Sequence, residues 1–259
     1  SCPCCGCRPA VAYGVAVAVK DGEQGYPFEN WSKWGGWKNK KLAKGTGFFT
    51  KYKADGKWWL ADPDGYAFFS AGPDCVNVPV DCRVDGIEKW LDWLPSEDEP
   101  AYSELFSPDR VFKDRKRNAK MFSYAGANLY RVFGEDWYQI WKKMMAGQLM
   151  QMGMNTLGNW SDQRLFENTP IPYVTSLPEF PETEKKIFRD FPDVLSDEYK
   201  ENAKNNAKAL AARKDDPMMI GYFLRNEPSW AFVDNLVLAD EVLYNPEKTV
   251  CKEKLIAFL

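Results

Sequence analysis

Hydrophobic and polar positions follow two different periods along this chain. From residue 47 to residue 76 they alternate. Gly47-Phe48-Phe49-Thr50-Lys51-Tyr52-Lys53 leads into Ala54-Asp55-Gly56-Lys57, Trp58-Trp59-Leu60-Ala61 returns, and Asp62-Pro63-Asp64-Gly65 precedes a third run from Tyr66. Asp-Gly between alternating apolar runs predicts hairpins, here a small β-meander. Farther on the spacing lengthens. Residues 136–152 carry Trp137, Ile140, Trp141, Met144 and Met145 at helical intervals. Residues 196–214 predict a second helix, with Ser196 as cap, Asp197 and Glu198 in the first turn and an Ala-rich face behind. Residues 234–243 and 247–259 predict two more. A short apolar run bounded by breakers lies at 218–224, and 171–177 reads as a further strand. Such runs predict strands buried on both faces, as in a parallel sheet. Pro170 and Pro172 suit the start of one, where a lost donor costs little.

Strands alternating with helices imply a parallel sheet. Two regions carry weaker patterns. Residues 21–45 are rich in Gly, Lys and Trp, with Trp31, Trp34 and Trp37 three apart. Gly35-Gly36 opposes a helix there, which leaves a loop with partly buried rings, or rings that meet a sugar. Residues 77–127 read as an irregular insertion. Ile87, Trp90, Leu91, Trp93 and Leu94 predict a short helix ended by Pro95, and so long a connection reads as a wall or lid of a cleft. Lys113-Asp114-Arg115-Lys116-Arg117 reads as a solvated helix face.

Composition narrows the chemistry. The 259 residues suffice for one large domain or two small ones, and 45% hydrophobic with 27% charged residues is a globular balance. A net charge of -3 without a basic block argues against a nucleic-acid partner. The 11 Trp serve a core or stack on flat sugar faces. There is no histidine, which removes Ser-His-Asp, Cys-His and the usual zinc-protease chemistry and leaves carboxylates as the acid/base groups. No cofactor is called for. No apolar stretch reaches the ~18 residues of a membrane span, so no membrane partner is expected. Residues 10–19 are apolar but short, with only Arg8 before them; an edge strand or buried segment fits better than a signal peptide, and the compartment stays open. Cys2, Cys4, Cys5 and Cys7 form a cluster that suits a soft metal. Without histidine or a second cluster the zinc-ribbon reading fails, and an oxidised or exposed terminus is preferred, so no metal site is assigned. Cys75, Cys82 and Cys251 complete an odd total of seven, so at least one is free or pairs between chains.

The candidate chemistry sits after the run 218–224, which ends in Arg225-Asn226-Glu227-Pro228-Ser229-Trp230. Pro228 disfavours the helical region for Glu227 and delays the next helix. A carboxylate is thus presented at a strand tip, where barrel enzymes keep their active sites. The competing reading is a helix-start carboxylate stabilised by the helix dipole. A strand ending in Asn-Glu-Pro resembles the fourth barrel strand of the retaining glycoside hydrolases of clan A, built on a (β/α)8 barrel. The run from Gly56 to Gly65 followed by Phe68-Phe69-Ser70-Ala71-Gly72 resembles more specifically the agarase-like members, in which a β-meander delivers the chain into the first barrel strand, here residues 67–75. Gly153-Met154-Asn155-Thr156, ending in Gly158-Asn159-Trp160-Ser161-Asp162, resembles their second strand, and Phe191-Pro192-Asp193-Val194 also matches. Ser161 or Asp162 equally suits a helix cap.

The resemblance implies an α/β fold of the (β/α)8 TIM-barrel type, with only the first four β/α units in view. Residues 1–46 would be an irregular segment, 47–66 the meander, and 67–259 half a barrel interrupted by 77–127. It implies Glu227 as general acid/base, Asn226 on the sugar 2-hydroxyl, and Trp230, Asn159, Trp160 and Asp162 as substrate contacts. A general acid at neutral pH needs burial and a neighbouring ionised nucleophile. Retaining hydrolysis takes two carboxylates ~5–5.5 Å apart, and the family's nucleophile lies on a seventh strand beyond these residues. A complete barrel takes ~250 residues. A half-barrel leaves its first and fourth strands as open edges, which a second fragment, a homodimer or truncation of a longer enzyme would explain. A non-catalytic carbohydrate-binding half-barrel and a purely structural α/β domain remain the alternatives.

Overall fold

The computed structural model describes residues 25–79, 82–108, 120–177 and 179–259. The Cys2/Cys4/Cys5/Cys7 cluster, the apolar run 10–19 and the charge run 113–117 lie outside them.

Strands β1 (Trp37–Lys41), β2 (Thr50–Ala54), β3 (Lys57–Ala61) and β4 (Tyr66–Phe68) form one antiparallel sheet in the order β1-β4-β3-β2. The two Asp-Gly signals become the tight turns of the meander, and β3 pairs with β2 from Thr50–Ala61 to Ala54–Lys57. β1 was expected to be loop. Trp37 instead pairs with Ala67 and Lys41 with Tyr66, while the turn through Gly35 and Gly36 folds Trp37 back against Trp31. A buried polar knot ties this turn: Ser32 Oγ donates to Asp62 Oδ2 at 2.5 Å, and Asp62 accepts from the Asp64 and Tyr66 amides.

The expected first barrel strand divides. Residues 66–68 stay in the meander sheet. After Phe69 and Ser70 the chain enters a second array with residues 71–75. Asn155 N donates to Ala71 O at 2.8 Å, Gly158 N to Pro73 O at 2.8 Å and Cys75 N to Asn159 O at 2.8 Å, a parallel register. Leu157 N donates to Pro172 O and Val174 N to Leu157 O. β8 (Tyr173–Ser176) then pairs in parallel with β11 (Met219–Phe223). Four parallel segments therefore lie side by side in chain order. Glycine is required where the first two meet. A Cβ on Gly72 would collide with the Thr156 carbonyl, and one on Gly158 with Asp74.

The insertion is more regular than its sequence pattern. β5 (Cys82–Arg83), β6 (Phe106–Pro108) and β7 (Lys120–Phe122) form a three-stranded antiparallel sheet in the order β5-β7-β6. Helix α1 (Tyr124–Phe133) follows, with Ser123 Oγ accepting from Gly126 N. Val84, Leu105, Phe122 and Ala127 form a core of their own. The helix expected near residue 90 shrinks to one 3-10 turn, Glu88–Trp90. These strands of two or three residues are too short for periodicity to register.

Helix α2 (Trp137–Gln151) lays Ala146, Leu149 and Met150 onto Leu157, Leu165, Phe166, Ile171 and Tyr173, the core that carries the parallel array. Tyr173 stacks on Phe166 with centroids 3.9 Å apart and donates from its hydroxyl to Asp216 at 2.6 Å. Beyond β8, β9 (Lys186–Phe188) and β10 (Phe191–Pro192) make a hairpin. α3 (Asp197–Lys208) starts at the Ser196 cap as expected and tightens into a 3-10 turn, Ala209–Arg213. α4 (Leu238–Tyr244) and α5 (Val250–Phe258) pack on the hairpin through Ile187, Val242 and Cys251.

The sequence pattern predicted β11 to be buried on both faces. It is half-buried, a Cβ on Gly221 would meet nothing within 4 Å, and Phe223 and Leu224 are exposed. The physical reason is position: among the described residues β11 pairs only with β8, so it stands at the edge of the array.

Candidate active site

Parallel strands direct all their carboxyl ends to one side. Cys75, Asn159-Trp160, Ser176-Leu177 and Leu224 to Trp230 therefore emerge at one rim. Three residues of this rim adopt positive φ without being glycine: Cys75 at 57°, Trp160 at 58° and Glu227 at 29°. The left-handed region costs an L-residue ~1–2 kcal/mol, and such strain concentrates at functional sites.

Asn159 is buried and knits three segments together. Its amide nitrogen donates to Asp74 Oδ1 at 2.8 Å, its carbonyl accepts from Cys75 N, and its side-chain oxygen accepts from Ser176 Oγ at 2.7 Å. Trp160 follows on the surface, 52% exposed, with its indole turned outward by the positive φ. Asp162 caps the 3-10 turn Gln163–Leu165 by accepting from Arg164 N at 3.0 Å, and Arg164 Nε also donates to it. Burial would raise the Asp162 carboxyl, but hydrogen bonds from the Arg164 side chain, the Arg164 amide and Tyr138 outweigh it and hold the group below its usual range. Its carboxylate caps this turn and pairs with Arg164.

Asn226 and Glu227 lie exposed at the end of β11. Only a 3-10 turn, Ser229–Ala231, follows Pro228. The next α-helix begins at Leu238. No long helix stands behind Glu227, so the helix-dipole reading of this carboxylate loses its basis. Trp230 is half-buried and packs edge-on against Phe191, with centroids 5.0 Å apart.

The residue that sequence reasoning passed over is Asp190, at the tip of the β9–β10 hairpin. It brackets the Asn-Glu-Pro turn from both sides. Arg225 Nη2 forms an ion pair with Oδ2. Ser229 Oγ donates to Oδ1 at 2.5 Å, and the amides of Ser229 and Trp230 donate at 3.2 Å each. The Ser229 hydroxyl bond, set against a burial effect and helped by the Ser229 amide and the Arg225 charge, holds the Asp190 carboxyl below its usual range. No local motif marks it, because its partners lie 35 to 40 positions away.

Among the described residues no group of His, Cys, Asp and Glu has the arrangement of a metal site, and no helix is long and apolar enough to cross a membrane. Asn159, Trp160, Asn226 and Glu227 thus all lie at the carboxyl ends of the parallel segments.

Comparison with known proteins adds a direction. No family model matches the chain. Beta-agarase B of Vibrio sp. (strain JT0107) is 28% identical over 232 residues, covering 79% of this chain and 24% of that protein. Beta-agarase A of the same organism is 27% identical over 218 residues, 75% of this chain and 21% of that protein. The chain thus spans about a quarter of the length of the curated relatives it matches. A crystal structure of an agarase superposes with a TM-score of 0.72 at 23% identity, covering 96% of this chain and 39% of its own. That of an exo-beta-agarase gives 0.62 at 25% identity, with 85% and 36% covered. The chain therefore shares the fold of part of these enzymes and is similar in sequence to beta-agarases.

Proposed function

We propose that this chain is the part of a retaining, agarase-like glycoside hydrolase that supplies the general acid/base. The observation that carries the reading is the exposed Asn226-Glu227 pair at the carboxyl end of the fourth parallel segment, with Glu227 in a strained backbone conformation. The similarity to beta-agarases supports a β-linked polysaccharide as substrate. Four parallel segments in chain order fit the first half of a (β/α)8 barrel, with the meander before it and the 77–127 insertion as a wall of the cleft.

In this reading Glu227 protonates the leaving glycosidic oxygen and then takes a proton from water. Asn226 holds the sugar 2-hydroxyl. Trp160 and Trp230 bound the sugar path, while Asn159 and Asp162 shape the rim behind them. The nucleophile is not among these residues. Among the described residues, the three aspartates named at this rim besides Glu227 are each committed, Asp74 to Asn159 N, Asp162 to Arg164, and Asp190 to Ser229 and Arg225. The second carboxylate, together with cover for the β11 edge, would come from a further segment, a second fragment or another copy. Until that partner arrives, the same surface reads as a carbohydrate-binding half-barrel.

The test is Glu227→Gln in catalytically competent protein. Removing a general acid lowers turnover ~10²–10⁴-fold. The loss should be smaller on aryl glycosides with good leaving groups than on polysaccharide, because such groups need little protonation. Undiminished turnover on both would refute the assignment. Oligosaccharide titration followed by Trp fluorescence separates the binding-module reading, which predicts binding without any dependence on Glu227.

A further inference from the structure

Charge is distributed unevenly over this chain. Between residues 37 and 58 there are seven lysines and one aspartate, with no arginine, although the whole chain carries a net charge of -3. This stretch is the β1–β3 part of the meander. Asp55 is paired with Lys40 at 3.3 Å. On the hairpin β2–β3, Lys51 and Lys53 point to the same face, and Lys53 lies directly opposite Trp58. Their ammonium groups stand 5.8 and 5.7 Å from the Trp58 ring centroid. That indole is 66% exposed.

Lysines on an edge strand deter unwanted strand pairing, and β2 is the edge of its sheet. A largely exposed indole does the opposite, so edge protection accounts for the lysines but not for Trp58. An exposed indole with two ammonium groups over its ring does suit one ligand chemistry. A sugar ring stacks on the indole while oxyanions on its hydroxyls meet the lysines. Lysine acts as a point charge, whereas planar carboxylates favour the arginine fork, which is absent here. Tetrahedral sulfate esters therefore match better than uronic acids. Dense polyanions such as nucleic acid match worse, because one stacking ring and a net negative chain offset a phosphate backbone poorly.

We propose that the Lys51–Trp58–Lys53 face is a binding site for sulfated polysaccharide, separate from the rim that carries Glu227. The proposal does not depend on Glu227 being catalytic. The experiment is affinity gel electrophoresis of the folded chain in gels containing dextran sulfate, neutral dextran, polygalacturonate or single-stranded oligodeoxynucleotide. Trp58→Ala and the double substitution Lys51→Gln/Lys53→Gln are run beside the unaltered protein. Retardation by dextran sulfate and not by neutral dextran is expected, with a dissociation constant raised at least tenfold in each variant. The exposed positions leave folding intact, which circular dichroism checks. No retardation, retardation insensitive to Trp58→Ala, or equal or stronger retardation by polygalacturonate or oligodeoxynucleotide would each overturn it. Glu227→Gln should migrate like the unaltered protein, which keeps this result apart from that of the catalytic reading.

Discussion

Replacing Asp190 by alanine should free the turn that presents Glu227. The carboxylate accepts from the Ser229 hydroxyl and from two backbone amides, and pairs with Arg225. A hydrogen bond to a charged group contributes ~1.5–3 kcal/mol when enclosed, while a solvent-screened pair contributes under ~1 kcal/mol. The Asp190 side chain is 28% exposed and the two amide bonds are long at 3.2 Å, so the lower end applies. About 0.5 kcal/mol for each of the four contacts sums to ~2 kcal/mol. That matches or exceeds the ~1–2 kcal/mol cost of holding Glu227 at positive φ, so the clamp can maintain the strain and its removal lets the turn relax. A change of ~2 kcal/mol corresponds to ~30-fold in the opening equilibrium. Amide hydrogen exchange reads it directly. The Ser229 and Trp230 amides should lose ~30-fold of their protection, and amides of the helix Trp137–Gln151 should keep theirs. A change below about threefold at those two amides would refute the reasoning. So would an equal loss throughout the helix, which would mean general destabilisation rather than a local clamp.

Two further expectations concern stability. Burial, with the neighbouring Asp193 hydrogen bond as a smaller cause, pushes the Cys251 thiol from near 9 up to about 11. The folded protein then keeps a proton that the unfolded chain releases, so stability is intact below pH 9 and declines as pH rises from 9 toward 11; chemical denaturation at pH 8 and pH 10.5 should show this decline, and Cys251→Ala should flatten it. Gly72→Ala drives a methyl group into the Thr156 carbonyl between the first two parallel segments, and the overpacking should cost at least ~1–3 kcal/mol. Thermal melting checks it, since a melting temperature within 1 °C of the unaltered protein would mean that the segments do not pack as closely as described.

Much of the local structure follows from sequence. The alternation and Asp-Gly turns of the meander, the Ser196 cap with its acidic first turn, and the helix from Trp137 all depend on neighbours within a few positions. The Asn-Glu-Pro end of β11 departs from this local rule, since Pro228 favours an extended residue before it and Glu227 instead sits at φ 29°. Tertiary structure alone decided the rest. Trp37 joins a strand because Ala67 and Tyr66 lie opposite, and β11 is half-bare because only β8 pairs with it among the described residues. Asp190 becomes the anchor of the Glu227 turn through partners 35 to 40 positions away. Periodicity and capping are set by contacts a few residues apart, which the order of amino acids encodes directly. Strand neighbours, open edges and carboxylate partners depend on which distant segments meet, and that is settled only when the whole chain packs.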